Sequence, residues 1–191
     1  MYNIIEYLPI ILAWLLFGVL HSVLASSLVK ENISLNPLNY RRLYNIISVL
    51  AVMFIFFLGS TIPPEYFLPK GQVTKSIGLI IATFGFLLAK LAFKPISFSQ
   101  FIGIKKEEEP KLIVNGIYAR MRHPLYTALI LGLVGFVIFN PTFTHLVHAV
   151  CILIYLFIGI HYEEKRLIAR FGEEYKKYKE QTPMLFPTSF R

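Results

Sequence analysis

The sequence holds one cysteine and one tryptophan in 191 residues, and 11 acidic side chains stand against 19 basic ones. A lone cysteine has no intrachain partner, so no disulfide frames this fold and no redox compartment can be read from it. That cysteine, Cys151, lies inside an apolar run. No internal repeat or low-complexity segment is visible, which excludes a solenoid or a biased tail. The scarcity of acid leaves a net charge of +8. Such a balance first suggests nucleic acid. Here the basic residues fall between apolar runs and not on a separate polar module. Nucleic acid is therefore excluded as a partner, and an anionic membrane surface is favoured.

What is abundant is apolar. Hydrophobic residues make up 55% of the chain and the mean hydropathy is +0.60. Soluble domains hold about 45–50% apolar residues, without long runs. Five apolar segments are expected to be helical, at 5–29, 43–62, 75–93, 125–139 and 142–161. A bilayer core needs about 20 helical residues, and all but the fourth approach that length. Asn140-Pro141 follows the fourth at once, so 125–161 reads as a tight helical hairpin. The first segment lacks a basic leader and a small-residue cleavage site, and is not expected to be a signal peptide. The length suits a single domain over 1–191, with a three-span part at 1–93 and a second part at 94–191.

The loop charges orient these spans. Three basic residues lie in 30–42, seven between Lys90 and Arg122, and seven after residue 161. The intervening loops carry only Lys70 and Lys75. The positive-inside rule then puts the N-terminus outside and the C-terminus in the cytoplasm. Leu167, Phe171, Tyr175 and Tyr178 recur at spacings of four, four and three, with Lys176, Lys177 and Lys179 off that face. That pattern is an amphipathic tail helix, expected to anchor at the interface and to close over the residues before it. The expected fold is thus an all-α integral membrane protein of about five transmembrane helices, with a C-terminal hairpin and this tail.

Two polar clusters carry the chemistry. In the first, Asn115-Gly116 signals a turn, because glycine tolerates a positive φ. His123 then precedes Pro124, which suits the first position of a helix. Arg122 and His123 lie at a helix mouth, where backbone N–H groups and the positive dipole end favour a carboxylate or phosphate. The second cluster is His161-Tyr162-Glu163-Glu164-Lys165-Arg166, where the fifth span ends. A hairpin returns its end to its start, so the two clusters should meet. Glutamates there can accept from ribose hydroxyls, and Tyr118 and Tyr126 offer faces to a sulfonium. S-adenosylmethionine fits this set, as do a nucleotide or a lipid headgroup.

Gly116-Ile-Tyr118, Arg122-His-Pro-Leu-Tyr126, Glu163-Glu164, Phe171-Gly-Glu-Glu-Tyr175 and Tyr178 occur in this order. Over residues 100–187 the pattern resembles the isoprenylcysteine carboxyl methyltransferase and phospholipid methyltransferase superfamily. Gly18-Val-Leu-His21-Ser22 and the run Arg41 to Ser48 resemble the branch of NnrU-like proteins and methanethiol S-methyltransferases. The resemblance implies an S-adenosylmethionine-dependent membrane methyltransferase acting on a small thiol or lipophilic acceptor. It also implies a cofactor site of Pro110, Lys111, Leu112, Ile113, Tyr118, His123, Pro124, Leu125, Tyr126, Glu163 and Glu164. Prenylcysteine methyltransferases place an arginine four residues before the glutamate matched by Glu163. Gly159 stands there here, which points away from a carboxylate acceptor, although a phospholipid amine and a prenylcysteine carboxylate stay open.

The remaining polar residues have plainer readings beside the functional ones. His21 and His161 are the candidates for a base if a thiol must be deprotonated. An intramembrane histidine suggests function, yet His21 can equally bond a neighbouring helix. His145 and His148 read as packing residues. No metal centre is expected. A non-enzymatic NnrU-like accessory or heme-binding protein is the alternative from another class.

Overall fold

The computed structural model describes residues 4–96 and 111–187. Among these the regular structure is helical, with one isolated antiparallel bridge between Tyr66 and Thr142. The helices are α1 (Leu8–Ala25), α2 (Ser27–Asn32), α3 (Pro37–Ser60), α4 (Gln72–Ala92), α5 (Pro124–Phe139), α6 (Phe143–Phe171) and α7 (Glu173–Gln181). Short 3-10 turns cover Ile4–Tyr7 and Gly116–Ala119. Four helical stretches, Ile5–Ala25, α3, α4 and α6, are long and apolar enough to cross a membrane. The apolar α5 is shorter, at 16 residues. Large apolar side chains such as Phe57, Val73 and Phe86 point outward. A surface of that kind is solvated by lipid, and the protein is a multi-pass membrane protein.

Helix ends explain the departures from the expected boundaries. The first apolar run stops at Ala25 and not at 29, because Ser26 turns extended and caps α2. Its Oγ donates to Val23 O at 2.6 Å. The second span begins at Pro37 and not at 43. Asn36 caps it, accepting from Leu38 N–H at 2.9 Å, and Pro37 needs no acceptor at the first helical position. The fifth span runs on to Phe171, since its charged residues continue the helix instead of ending it. The tail is therefore not one helix. Gly172 takes φ 56° between α6 and α7, a conformation that suits glycine.

The chain forms two compact units. Among the described residues, the first holds 4–69 and 141–152, and the second holds 70–96, 111–140 and 153–187. In the first unit, Tyr7, Ile10, Trp14 and Ile55 form a core with Phe56, Phe143 and Val147 against it. Trp14 Nε1 donates to Nδ1 of the fully buried His148 at 2.9 Å, and Phe56 stacks on that imidazole at 4.5 Å. His148 is thus an interhelical packing residue. The stretch 65–67 pairs with 141–143 through Phe67 N–H to Pro141 O and Phe143 N–H to Glu65 O.

In the second unit, α4 lies along α5 at backbone contact. A Cβ placed on Gly85 would meet Ala128 O at 2.7 Å, and one on Gly135 would meet Gly78 O at 2.6 Å. Gly78 and Gly85 are seven residues apart, two turns, and so share one face. Small residues at such a seam let helices associate in lipid, where hydrophobic burial gives little drive.

Candidate active site

The polar site is built in the second unit, where the start of α5 meets the latter half of α6. Gly116 adopts φ 61° and opens the 3-10 turn that carries Tyr118. Pro124 is the first residue of α5 and is fully buried. Pro124 has no N–H, and Thr127 N–H returns to His123 O. Leu125 and Tyr126 therefore present the first-turn N–H groups that lack an intrahelical acceptor.

The two adjacent glutamates do different work. Glu164 is buried and its carboxylate is shared among four side chains. Arg122 binds Oε1 through Nε at 2.9 Å and Nη2 at 2.8 Å. His123 Nε2 lies 3.3 Å from the same oxygen, and Tyr175 O–H donates to it at 3.4 Å. Lys179 Nζ donates to Oε2 at 2.6 Å. A carboxylate offers about four lone-pair positions, so these donors satisfy it. Glu163 points elsewhere, because neighbours on a helix diverge by about 100°. Its Oε2 accepts the Tyr126 O–H at 2.6 Å.

The segment after α7 is tied across the His123 turn. Arg122 N–H donates to Pro183 O at 2.9 Å and His123 N–H to Met184 O at 3.0 Å. Thr127 Oγ1 donates to Leu185 O at 2.7 Å. Arg122 Nη1 also donates to Lys179 O and Thr182 O. The backbone N–H groups of Arg122 and His123 are thus taken by the chain itself. Tyr178 O–H donates to Tyr118 O at 2.6 Å. Burial pushes the Tyr178 phenol up to about 12, with the Arg122 charge pulling the other way. Burial raises the Tyr175 phenol also, aided by the Glu164 charge, and the Tyr118 phenol, aided by the Glu163 charge. These phenols stay protonated and remain donors at neutral pH. The aromatic face of the tail is turned into the protein, since Tyr175 and Tyr178 are both buried.

Tyr118, His123, Pro124, Leu125, Tyr126, Glu163 and Glu164 are brought together here. Leu112 and Ile113 are half-buried and Lys111 is exposed in the irregular stretch before the Gly116 turn. Pro110 lies outside the described residues, as does most of the 105–111 charge cluster. His161 is exposed on α6 with its ring 5.6 Å from that of Tyr162. His21 belongs to the first unit. Its Nδ1 lies 3.0 Å from Ser48 Oγ, and its Nε2 lies 2.6 Å from Tyr44 O–H. Ser48 spends its own proton on Tyr44 O at 2.7 Å, so Nδ1 carries the imidazole proton and Nε2 accepts from Tyr44. The pairing of Tyr44 and Ser48 with His21 escaped sequence reasoning, as did Lys179 as a partner of Glu164. Tyr44 lies 23 residues from His21, and Lys179 lies 15 from Glu164, across helix boundaries that no periodicity spans.

A sequence profile of the phospholipid methyltransferase family matches residues 73–174. A methanethiol S-methyltransferase of Pseudomonas deceptionensis is 28% identical over 91% of this chain and 70% of its own length. The methanethiol S-methyltransferase of Crocosphaera subtropica is 29% identical, over 90% of this chain and 71% of its own. Protein-S-isoprenylcysteine O-methyltransferase B of Arabidopsis thaliana is 33% identical over 59% of this chain and 58% of its own.

Proposed function

The chain is a membrane methyltransferase of the phospholipid methyltransferase family, and from that premise we propose that it transfers methyl from S-adenosylmethionine to a small thiol. The observation that carries the cofactor reading is the division between the glutamates. Glu164 is filled by Arg122, Lys179, His123 and Tyr175, whereas Glu163 bonds Tyr126 and keeps lone pairs for a ligand.

The residues fit the donor. Glu163 would accept from the ribose hydroxyls. The N–H groups of Leu125 and Tyr126 would hold the methionyl carboxylate at the positive end of α5. The faces of Tyr118 and Tyr126 would attract the sulfonium. Lys111, Leu112 and Ile113 would line the adenosyl side, together with Pro110. His123 and Pro124 would fix the helix mouth, and Glu164 would act as a positioning residue through Arg122 and His123. Beside this set, a Cβ on Gly159 would lie 3.7 Å from Tyr126 O–H, an ordinary contact. A glycine there leaves Tyr126 uncovered and supplies no cation, which suits an acceptor without a carboxylate.

When bound, the donor supplies a methyl group on a sulfonium, open to in-line displacement by the acceptor. The chain contributes alignment and exclusion of water. The tail strapped to Arg122, His123 and Thr127 closes the side of the site that α7 covers. The C-terminal site faces the cytoplasm in this reading, as the loop charges require. His21 is a weaker choice for a heme ligand, because its lone-pair nitrogen already accepts from Tyr44.

Calorimetric titration of S-adenosylmethionine into the purified protein in detergent tests the proposal. Saturable binding that Glu163→Gln weakens by about 10–100-fold in a folded protein is expected. A folded wild-type protein that binds no donor would overturn it. Turnover of methanethiol and of a prenylcysteine analogue then separates the acceptor classes, with the thiol expected to be methylated.

A further inference from the structure

A cation of α6 stands beside the candidate site with no role in it so far. Gly159 and Glu163 both face the Tyr126 hydroxyl. A Cβ on Gly159 would lie 3.7 Å from that oxygen, and Glu163 Oε2 accepts its proton at 2.6 Å. At 3.6 residues per turn, Glu163 is rotated about 40° from Gly159 in one sense and Arg166 about 20° in the other. Arg166 therefore lies on the face of α6 that is turned to Tyr126, three residues beyond Glu163. Helical side chains lean back towards the N-terminus, which carries the guanidinium towards that hydroxyl. The Arg166 charge is felt by the Tyr126 phenol. Arg166 is exposed, and among the described residues it forms no ion pair. Glu164 is held by Arg122 and Lys179 instead, and Glu163 by Tyr126.

We infer that Arg166 binds the carboxylate of the methyl donor, together with the N–H groups of Leu125 and Tyr126. The inference rests on the donor reading above and adds a residue to it. S-adenosylmethionine carries two cations, the sulfonium and the ammonium, and a single anion. The carboxylate is thus the one charged group of the donor that a guanidinium attracts. The free N–H groups of the first turn of α5 open at the helix mouth, beside the Tyr126 side chain, so a carboxylate held there lies on the Arg166 side of the site. A planar guanidinium presents paired donors to a carboxylate, which a lone ammonium does not. The acceptor meets a different part of α6. Gly159 is about 10 Å from Arg166 along the axis, so Arg166 adds no cation where the acceptor is received.

The test titrates S-adenosylmethionine and decarboxylated S-adenosylmethionine, which lacks only the carboxylate, into the full-length protein in detergent by calorimetry. Arg166→Gln should weaken binding of the complete donor about tenfold, the low end for a charge-assisted bond because the position is exposed, and leave the decarboxylated one unchanged. Lys165 lies over the Tyr162 ring on another face, and Lys165→Gln should bind both ligands as the wild type does. The unfolding midpoint checks that each variant is folded, and Arg166→Met, which keeps the apolar stem, gives the same reading if the glutamine variant unfolds. Undiminished binding of the complete donor by Arg166→Gln overturns the inference and leaves the donor reading standing. An equal loss for both ligands overturns it too, since that marks a disturbed site and not a lost carboxylate partner, and so does an equal loss in Lys165→Gln. A folded wild type that binds neither ligand overturns the donor reading itself, and the inference with it.

Discussion

The two compact units hold their polar groups in contrasting ways. In the first unit, two small sets of neutral side chains join the helices. Trp14 donates to His148, and Tyr44, His21 and Ser48 form a chain that ends on a backbone carbonyl. In the second unit several charged groups converge on one carboxylate, that of Glu164. A charge in hydrocarbon is costly, so the first unit satisfies isolated groups with the fewest donors. The second unit gathers its charges where α6 passes from apolar to basic residues. There a buried carboxylate with several donors can fix the geometry of a ligand site. One arrangement holds helices together, and the other holds a site in place.

The sharpest way to break this contrast is at Glu164. Glu164→Ala leaves Arg122 and Lys179 without their counter-charge, and its side chain is 11% exposed. Breaking a buried pair costs about 3–5 kcal/mol, or roughly 10 °C in the unfolding midpoint for a chain of this size. An unchanged midpoint by scanning calorimetry would show that the carboxylate organises nothing. A smaller effect is expected in the first unit at Gly59, whose added Cβ would strike His148 Nε2. Gly59→Ala should cost about 1–3 kcal/mol by overpacking. Gly71→Ala is the control, since a Cβ there meets nothing within 4 Å.

Tyr44→Phe removes one neutral donor and leaves His21 Nε2 without it. Interhelical bonds of this kind are worth about 0.6 kcal/mol on average, so the midpoint should move by only a degree or two. A loss matching that of Glu164→Ala would erase the distinction between the units. The smallest effect is that of pH on Tyr178. Its phenol titrates near 10 in the unfolded chain and near 12 in the folded one. Its contribution is full below about pH 10 and fades as the pH rises towards 12, because the folded state holds the proton longer. Tyr178→Phe should flatten that part of the thermal pH profile.

Much of the fold was legible because apolar length is a direct demand of the bilayer. Pro124 at the head of α5, the positive φ at Gly116 and the helix break at Asn140-Pro141 all follow from local chemistry. The hairpin also let the two polar clusters be paired in advance, and Arg122 with Glu164 bears that out. Other features escaped for definite reasons. Four charged residues at Glu163 to Arg166 look like the end of a span, yet half of them are satisfied inside the protein and the helix continues. The tail spacing from Leu167 to Tyr178 suggested one helix, and the left-handed Gly172 divides it. The strap at 182–185 has no periodic pattern, since backbone groups make its bonds to Arg122, His123 and Thr127. Adjacent glutamates look alike in a sequence, and only the helical rotation between them separates their partners.

The central claim is that Glu163 serves the methyl donor while Glu164 serves the fold. Titrating S-adenosylmethionine into the wild type and Glu163→Gln by calorimetry, with the unfolding midpoint of each, tests it most directly. Glu163→Gln should lose about 10–100-fold in affinity, the worth of a charge-assisted hydrogen bond, at an unchanged midpoint. Undiminished donor binding by folded Glu163→Gln would contradict it.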